Sequence, residues 1–279
     1  MEGPKNKIRL DTLLVDKGLV DNRNRARAEI MAGNVFVDGV KKDKPGYFFT
    51  TTSDIQLKKP INPYVSRGGL KLQKAIDEFN LALDGKVVLD VGASTGGFTD
   101  CSLKHGASLV YALDVGFGQL AWKLRFHPRV VNLERFNVRN LTPEHLDSHP
   151  DFALIDASFI SLKLILPVIA RFPVNQVICL IKPQFEAKKE QVGKKGVVKK
   201  QEVHRDVINR IIEFAGQLNY RLRGLTYSPV RGPKGNIEYL MYLHYSKEKE
   251  MITENDRKGR VDFIATVVQK SHRYFHNEG

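Results

Sequence analysis

The sequence predicts an α/β protein: an open, mostly parallel sheet closed by an antiparallel terminal pair, with a small α+β unit ahead of it. Three observations carry this. From Val87 onward, short apolar runs alternate with helix-length segments, the pattern of a parallel sheet with helices on its faces. The first run, Val87-Val88-Leu89-Asp90-Val91, breaks into Gly92-Ala93-Ser94-Thr95-Gly96-Gly97, a strand–turn–helix in which glycines let a ligand approach the backbone. Before it, a basic helical segment is followed by an Asp38-Gly39 hairpin signal.

Composition narrows the class. The chain has 279 residues, with 44 basic and 31 acidic side chains for a net charge of +13, a balance that favours a polyanionic partner. No apolar run approaches the roughly 18 residues that a membrane-crossing helix needs. The start, Met1 to Leu10, has charge but no apolar core and is not read as a secretory signal. Cys101 and Cys179 are expected as small buried residues in a reducing, cytoplasmic setting, with neither a disulfide nor a metal site.

In chain order, Ile8, Leu10, Leu13 and Leu14 fit one face of a short helix that Gly18 can end. Asp21 or Asn22 can cap a second helix bearing Arg23, Arg25 and Arg27, which Gly33 closes before the strand–turn–strand Val35 to Val40. Arg23 and Arg27 lie one turn apart and can straddle a phosphate backbone, or form a solvated basic face. Lys58 to Pro63, with two prolines, reads as linker. Ser66 or a neighbour can start a helix with Leu70, Leu72, Ala75, Ile76 and Phe79 on its apolar side; Lys71 and Lys74 fall on the other. Strands are expected near 87–91, 109–114, 130–133, 152–156 and 176–181, and helices at 98–105, 118–125, 142–148, 161–171 and 203–219. Leu222 to Ser228 and Ile237 to Tyr245 form the antiparallel pair, around a turn-rich loop from Pro229 to Asn236. The charged end of the chain, 248–279, holds Phe263, Ala265, Val267 and Val268, enough for a short docking helix.

Ligands of such sheets bind outside the carboxyl ends of the strands. Asp90 before the glycine turn and Asp114 after the second strand form a pattern associated with S-adenosylmethionine, although a tight turn of another α/β domain fits too. Asp156 and Lys182 close two further strands. A lysine on a buried strand is costly unless paired, so the two either form a structural ion pair or belong to a site.

Beyond these readings, the N-terminal unit resembles the RNA-binding domain first known from ribosomal protein S-four, through Arg9-Leu10-Asp11, Arg25 with Ala28, and Gly33 to Gly39. The whole resembles the TlyA family of ribosomal RNA 2′-O-methyltransferases, often labelled haemolysin A, whose catalytic half is similar to the FtsJ (RrmJ) methyltransferases. The matching motifs are Val65 to Leu72, Asp90 to Thr99, Asp156 to Ser161, Ile181 to Glu186 and Gly235 to Tyr239. The resemblance implies a class I S-adenosylmethionine (SAM) methyltransferase sheet of Rossmann-like form at 67–247, after an RNA-binding domain at 1–60 and a linker at 61–66. It places the family's Lys-Asp-Lys-Glu tetrad on Lys71, Asp156, Lys182 and Glu238. It implies that Asp90, Gly92, Ser94, Thr95, Gly96, Gly97 and Phe98 cradle SAM, that Asp114 takes the ribose hydroxyls and that Asn137 contacts adenine. It implies ribosomal RNA or its subunits as the substrate, contacted by Arg9, Arg23, Arg25, Arg27 and Arg67. The basic loop with Lys188, Lys189, Lys194, Lys195, Lys199 and Lys200, just after Lys182, is placed to contact that RNA too, and a monomer with no membrane partner is expected.

The tetrad makes chemical sense, because a ribose 2′-hydroxyl must lose its proton as it attacks the methyl group. Lys182 is the expected base, its pKa drawn down by burial and by the ammonium of Lys71, with Asp156 pulling the other way and the four titrating as a set. Lys71 and Glu238 position the ribose and the base. Alternatives remain: a SAM-dependent enzyme acting on a base amine, disfavoured by the paired lysines; an RNA-binding protein that keeps only the fold; and a membrane-active haemolysin.

Overall fold

The spacing of Leu10, Leu13 and Leu14 puts three leucines on one side of a helical turn and a half, and all three are fully buried or nearly so. They belong to the first of two units into which the computed structural model divides, one ending at Pro63 and the other beginning at Tyr64. The structure describes residues 7–31, 33–57, 62–172, 174–247 and 254–276. The expected absence of a secretory signal, most of the linker at 58–63 and the charged opening of the tail at 248–253 fall wholly or partly outside them.

The first unit runs β1 (Lys7–Arg9), α1 (Leu10–Asp16), α2 (Arg23–Met31), β2 (Val35–Val37), β3 (Val40–Lys42), β4 (Phe48–Thr50) and β5 (Ile55–Leu57). The Asn22 side chain caps α2 by accepting the Arg25 N–H at 2.9 Å. Asp38 and Gly39 both take positive φ, 50° and 78°, so the hairpin has the turn whose twist suits paired strands. β2 also pairs with β5, and β1 with β4; neither β4 nor β5 has a sequence signal strong enough to expect. Ile8, expected in the first helix, lies instead in β1.

The basic helix face needs correcting. Arg9 grips Asp11 through two hydrogen bonds of 3.0 Å, and Arg23 and Arg27 reach the same carboxylate at 3.2 and 3.1 Å. Asp11 is fully buried while the arginine side chains stay 40–52% exposed. Arg25 bonds the Asn62 carbonyl and sits 3.8 Å from Asp21. These arginines are therefore a built cluster, three positive charges organised on one negative, rather than a freely solvated row.

The second unit comprises α3 (Gly68–Phe79), β6 (Val87–Val91), α4 (Gly97–Lys104), β7 (Leu109–Leu113), α5 (Trp122–Arg125), β8 (Val130–Leu133), β9 (Phe152–Ile155), α6 (Leu162–Ile169), β10 (Gln176–Ile181), α7 (Pro183–Glu186), α8 (Gln201–Gln217), β11 (Tyr220–Tyr227), β12 (Tyr239–Tyr245) and α9 (Glu254–His276). The sheet order is β11-β12-β10-β9-β6-β7-β8. The strands from β6 to β10 are mutually parallel, and β12 and β11 run antiparallel at the edge. β7 and β8 lie to one side of β6, β9 and β10 to the other, so the strand order reverses between β6 and β9. The crevice at that switch point is where such sheets bind ligands.

Alternation along the strands feeds two cores. Leu89, Val91, Ala153 and Ile155 face α6, α8 and α9, whereas Val88, Phe152, Leu154 and Leu180 face α3 and α4. Cys101 and Cys179 are both buried. Three expected helices change. Only Trp122–Arg125 of 118–125 is helical, because Gly118 has φ of 69° and turns the chain. The segment 142–148 yields a single 3₁₀ turn, Pro143–His145. The docking helix is 23 residues long and buries Ile264, Val267, Val268 and Phe275, while Phe263 is 44% exposed. No described helix is long and apolar enough to cross a membrane.

The arginine cluster holds the Asp11 carboxyl well below the usual carboxylate range, first through the Arg9 hydrogen bonds and against the cost of burial. Its stabilising contribution is present above the unfolded carboxylate value of about 4 and is lost as pH falls through the lower folded value. Amide hydrogen exchange at residues 7–57 should therefore accelerate between about pH 4 and about pH 2. In Asp11→Asn that acid dependence should flatten, with protection already reduced at neutral pH.

Candidate active site

The turn after β6 is shaped by what it must avoid. Gly92 has φ of 87°, and a Cβ there would lie 2.9 Å from the Ala157 Cα, so the turn packs directly against the end of β9. Gly97 leaves no room for a side chain either: its Cβ would meet Ser66 Oγ at 2.3 Å and the Gly69 amide at 2.8 Å. Gly96 caps α4 in the left-handed conformation with φ of 95°. The result is a cleft of about 350 Å³, with Gly92, Ser94, Thr95, Gly97 and Phe98 on its wall.

Asp114, just past β7, fixes the rim. It accepts the Ser94 N–H at 2.8 Å and the Gly116 N–H at 2.7 Å. Asp90 does not line the cleft. Its carboxylate is fully buried, accepts the Thr99 hydroxyl at 2.6 Å through Oδ2, and leaves Oδ1 without a partner among the described residues. Burial pushes this carboxyl up to about 7. Asp90 therefore anchors the first turn of α4 from beneath, a correction to the expectation of direct ligand contact. Asn137 caps the 3₁₀ turn that follows it, accepting the Arg139 N–H at 3.1 Å.

Across the cleft, four charged side chains from four elements form one chain. Lys182 Nζ, just past β10, lies 2.7 Å from Asp156 Oδ1, a close ion contact too misaligned to count as a hydrogen bond. It donates instead to Ser158 Oγ at 2.9 Å and to the Asp156 carbonyl at 3.2 Å. Lys71 Nζ, from the first turn of α3, donates to Asp156 Oδ2 at 3.3 Å and to Glu238 Oε2 at 2.8 Å. Glu238 is fully buried, and its Oε1 accepts the Gln184 amide at 3.1 Å. A Cβ at Gly232 would stand 2.1 Å from Glu238 Oε1, so this glycine makes room for the carboxylate.

Lys71 is thus not on a solvated side of its helix. It is 8% exposed, and its helix turns it toward the sheet edge. Burial works against its charge, but Asp156 and Glu238 outweigh burial and raise its pKa. The expectation that Lys71 simply repels Lys182 has to be modified, because the Asp156 carboxylate stands between the two ammonium groups. Two lysines and two carboxylates make a formally neutral array, which is how four charges tolerate this degree of burial.

Other expected residues distribute unevenly. Arg67 lines the cleft beside Lys71. Lys188 and Lys189 are exposed at the start of the loop after α7, and Lys194 and Lys195 are exposed further along it. Sequence reasoning missed Ser158, Gln184, Gly232 and Phe159. Phe159 is the most conspicuous. It is 90% exposed, has φ of 63°, and places its ring 5.0 Å from that of Phe185. Its only sequence signal was its place three residues after Asp156.

A cradle that any Cβ would fill, backbone amides at the head of α4 and a carboxylate at the neighbouring strand end suit a small polar ligand carrying ribose, as SAM does. The charged array opposite offers a proton acceptor and aligned donors to whatever meets that ligand. Among the described residues no group of His, Cys, Asp and Glu could hold a metal ion.

Comparison with known proteins agrees with this division. The family profile of FtsJ-like methyltransferases matches residues 64–245, and that of the S4 domain matches residues 8–55. YqxC of Bacillus subtilis, whose name proposes an rRNA methyltransferase, is 47% identical over 96% of this chain and 95% of its own. The 16S/23S rRNA (cytidine-2′-O)-methyltransferase TlyA of Mycobacterium tuberculosis is 40% identical over 95% of this chain and 98% of its own. A solved structure from Streptococcus thermophilus that carries a hemolysin name superposes with a TM-score of 0.76 at 41% identity, covering 99% of both chains.

Two measurements test the site's physics. Lys71→Met should cost about 3 kcal/mol in denaturant unfolding, because it strands the buried Glu238 carboxylate. Adding Glu238→Gln should recover part of that loss; a double variant as unstable as the sum of the singles would contradict it. The raised Asp90 carboxyl is held protonated by the fold, so its stabilising contribution is whole below about pH 4 and is lost as pH rises toward about 7. Melting temperatures of the wild type should therefore fall between about pH 5 and about pH 7 relative to those of Asp90→Asn.

Proposed function

The chain belongs to the FtsJ-like methyltransferase family, and from that premise we propose that it transfers a methyl group from SAM to the 2′-hydroxyl of a cytidine in ribosomal RNA. The observation that supports this most is that Lys182, Asp156 and Lys71 face the Gly92 turn across one cleft, with Glu238 buried behind Lys71. The N-terminal S4 domain and the name of the 40% identical TlyA relative support ribosomal RNA as the substrate.

SAM supplies a methyl group on a positively charged sulfur, already primed to leave. The protein's own contribution is to bind, orient and remove a proton. The backbone from Gly92 to Phe98 holds the methionine part of SAM, and Asp114 takes its ribose hydroxyls. Asn137, four residues past β8, would contact the adenine. Lys182 Nζ accepts the proton of the 2′-hydroxyl. Before that step Lys182 is neutral and the array, with the charge of Lys71 counted, carries one net negative charge; after it the array is neutral. Asp156 and Ser158 keep Lys182 Nζ in place, and Lys71 is locked by Glu238. Positioning of this kind accounts for much of what a methyl-transfer enzyme must do.

Phe159 stands ready beside this array. Beyond its contact with Phe185 the ring is 90% exposed, and an exposed aromatic face is a stacking partner for an unstacked base. The paired lysines disfavour methylation of a base amine, since they would oppose the positive charge developing on nitrogen.

Lys182→Ala should bind SAM within about twofold of the wild type by calorimetry, while 2′-O-methyl transfer to ribosomal RNA falls by about 10³-fold. Retained transfer at wild-type rate would remove Lys182 from the reaction. Mapping 2′-O-methyl groups in ribosomal RNA with and without the gene should show loss at a cytidine.

A further inference from the structure

A second and larger depression adjoins the methyl-transfer cleft. It holds about 960 Å³ between the loop at 190–200, the turn at 231–237 and the last turns of α9. Arg231 lines both depressions, so the two are neighbours that share one guanidinium on their walls.

Its charge is one-sided. Lys194, Lys195, Lys199, Lys200, Arg231 and Lys234 line it, against Glu190 as the one carboxylate on its wall. None of the six makes an ion pair with another described residue. Arg231 is held only by carbonyls, donating to Phe275 O at 2.7 Å and Gly235 O at 3.2 Å, with its guanidinium 4.9 Å from the Phe275 ring centroid. Six cations on one concave wall repel each other unless a polyanion joins them.

The floor is different in kind. Val198, Val203, Ile237 and Phe275 supply apolar area, and the buried Nε2 of His272 has no partner among the described residues. The wall is also braced. His204 lies behind it, fully buried; its Nε2 faces the Val198 carbonyl at 2.9 Å and must carry the proton, so Nδ1 accepts from the Tyr239 hydroxyl at 2.7 Å. Tyr239 in turn meets Ser271 of α9 at 3.1 Å. Loop, β12 and α9 are thereby tied together behind one preformed groove.

We propose that this groove binds the sugar–phosphate backbone of the single-stranded RNA flanking the methylated nucleotide, making the C-terminal helix part of the RNA site. The six cations take phosphates, the apolar floor and Phe275 take a sugar or base face, and His272 Nε2 takes a 2′-hydroxyl or phosphate oxygen. Arg231 marks the point where the strand leaves the catalytic cleft. The inference rests on RNA being the substrate, but it does not depend on which atom of the RNA is methylated.

The test uses the full chain and oligocytidylates of about 4 and about 12 nucleotides, a span set by the footprint of single-strand grooves. Wild type should bind the longer RNA at least about tenfold more tightly, and the triple variant Lys194→Gln/Lys199→Gln/Lys234→Gln should lose that gain. Its salt dependence should flatten by about 2 in the log–log slope, from three lost contacts at about 0.7 each. SAM affinity measured on the same samples reports folding, and Lys199→Glu/Lys200→Glu provides a second variant. A 4-thiouridine at the far end of the longer RNA should cross-link to the peptide containing His272 and Phe275. Unchanged affinity and slope in both variants, cross-links confined to residues 7–57, or loss of anionic-vesicle binding with RNA binding intact would each overturn the proposal. Lys182→Ala should keep the length-dependent binding, so failure of methyl transfer alone would leave the groove standing.

Discussion

The fold's active centre depends on one ammonium group. Lys71 reaches from α3 to Asp156 at the end of β9 and to Glu238 at the start of the antiparallel edge, residues 85 and 167 positions away. Each carboxylate is too buried to be comfortable alone, and Lys71 is too buried to be charged without them. The desolvation of any one member is offset only by the presence of the others, so the array behaves as a unit. Lys182 joins through Asp156, and Gln184 and Gly232 complete the surroundings of Glu238. Breaking any link in an array built this way leaves a buried charge unpaired.

Topology determines where that array can stand. Because β7 and β8 go to one side of β6 and β9 and β10 to the other, the carboxyl ends of β6 and β9 face a crevice that no crossover covers. The glycine turn lies on one lip and Asp156 on the other, and Gly92 lets the two approach to backbone contact. The antiparallel β12 then brings Glu238 to the same end of the sheet, which a parallel strand in that place would not do.

The net charge of +13 is not spread evenly over function. In the first unit, arginines are organised around the single buried carboxylate of Asp11, a cluster whose outward faces keep their positive charge. In the second, lysines line a groove that neighbours the proposed methyl-transfer cleft, with Glu190 as the carboxylate on its wall. One arrangement spends charge on stability as well as on recognition; the other leaves it available for phosphate.

The sequence by itself determined the parallel strands, the glycine turn and the hairpin, and its motif resemblance named the four residues that the structure gathers into one array. Strands buried on both faces and left-handed turns write themselves in local composition, and motif resemblance carried Lys71 and Glu238, which composition alone did not single out. It did not determine that Lys71 is buried, that Asp90 supports the cradle from below, or that Arg9, Arg23 and Arg27 share one aspartate. Nor could it show α9 running to 23 residues and closing a groove with a loop far earlier in the chain, where Val198 and His272 line the same wall. Those were decided by tertiary structure, because burial and charge pairing are properties of which distant residues meet, and no local pattern records the partner that makes a buried charge affordable.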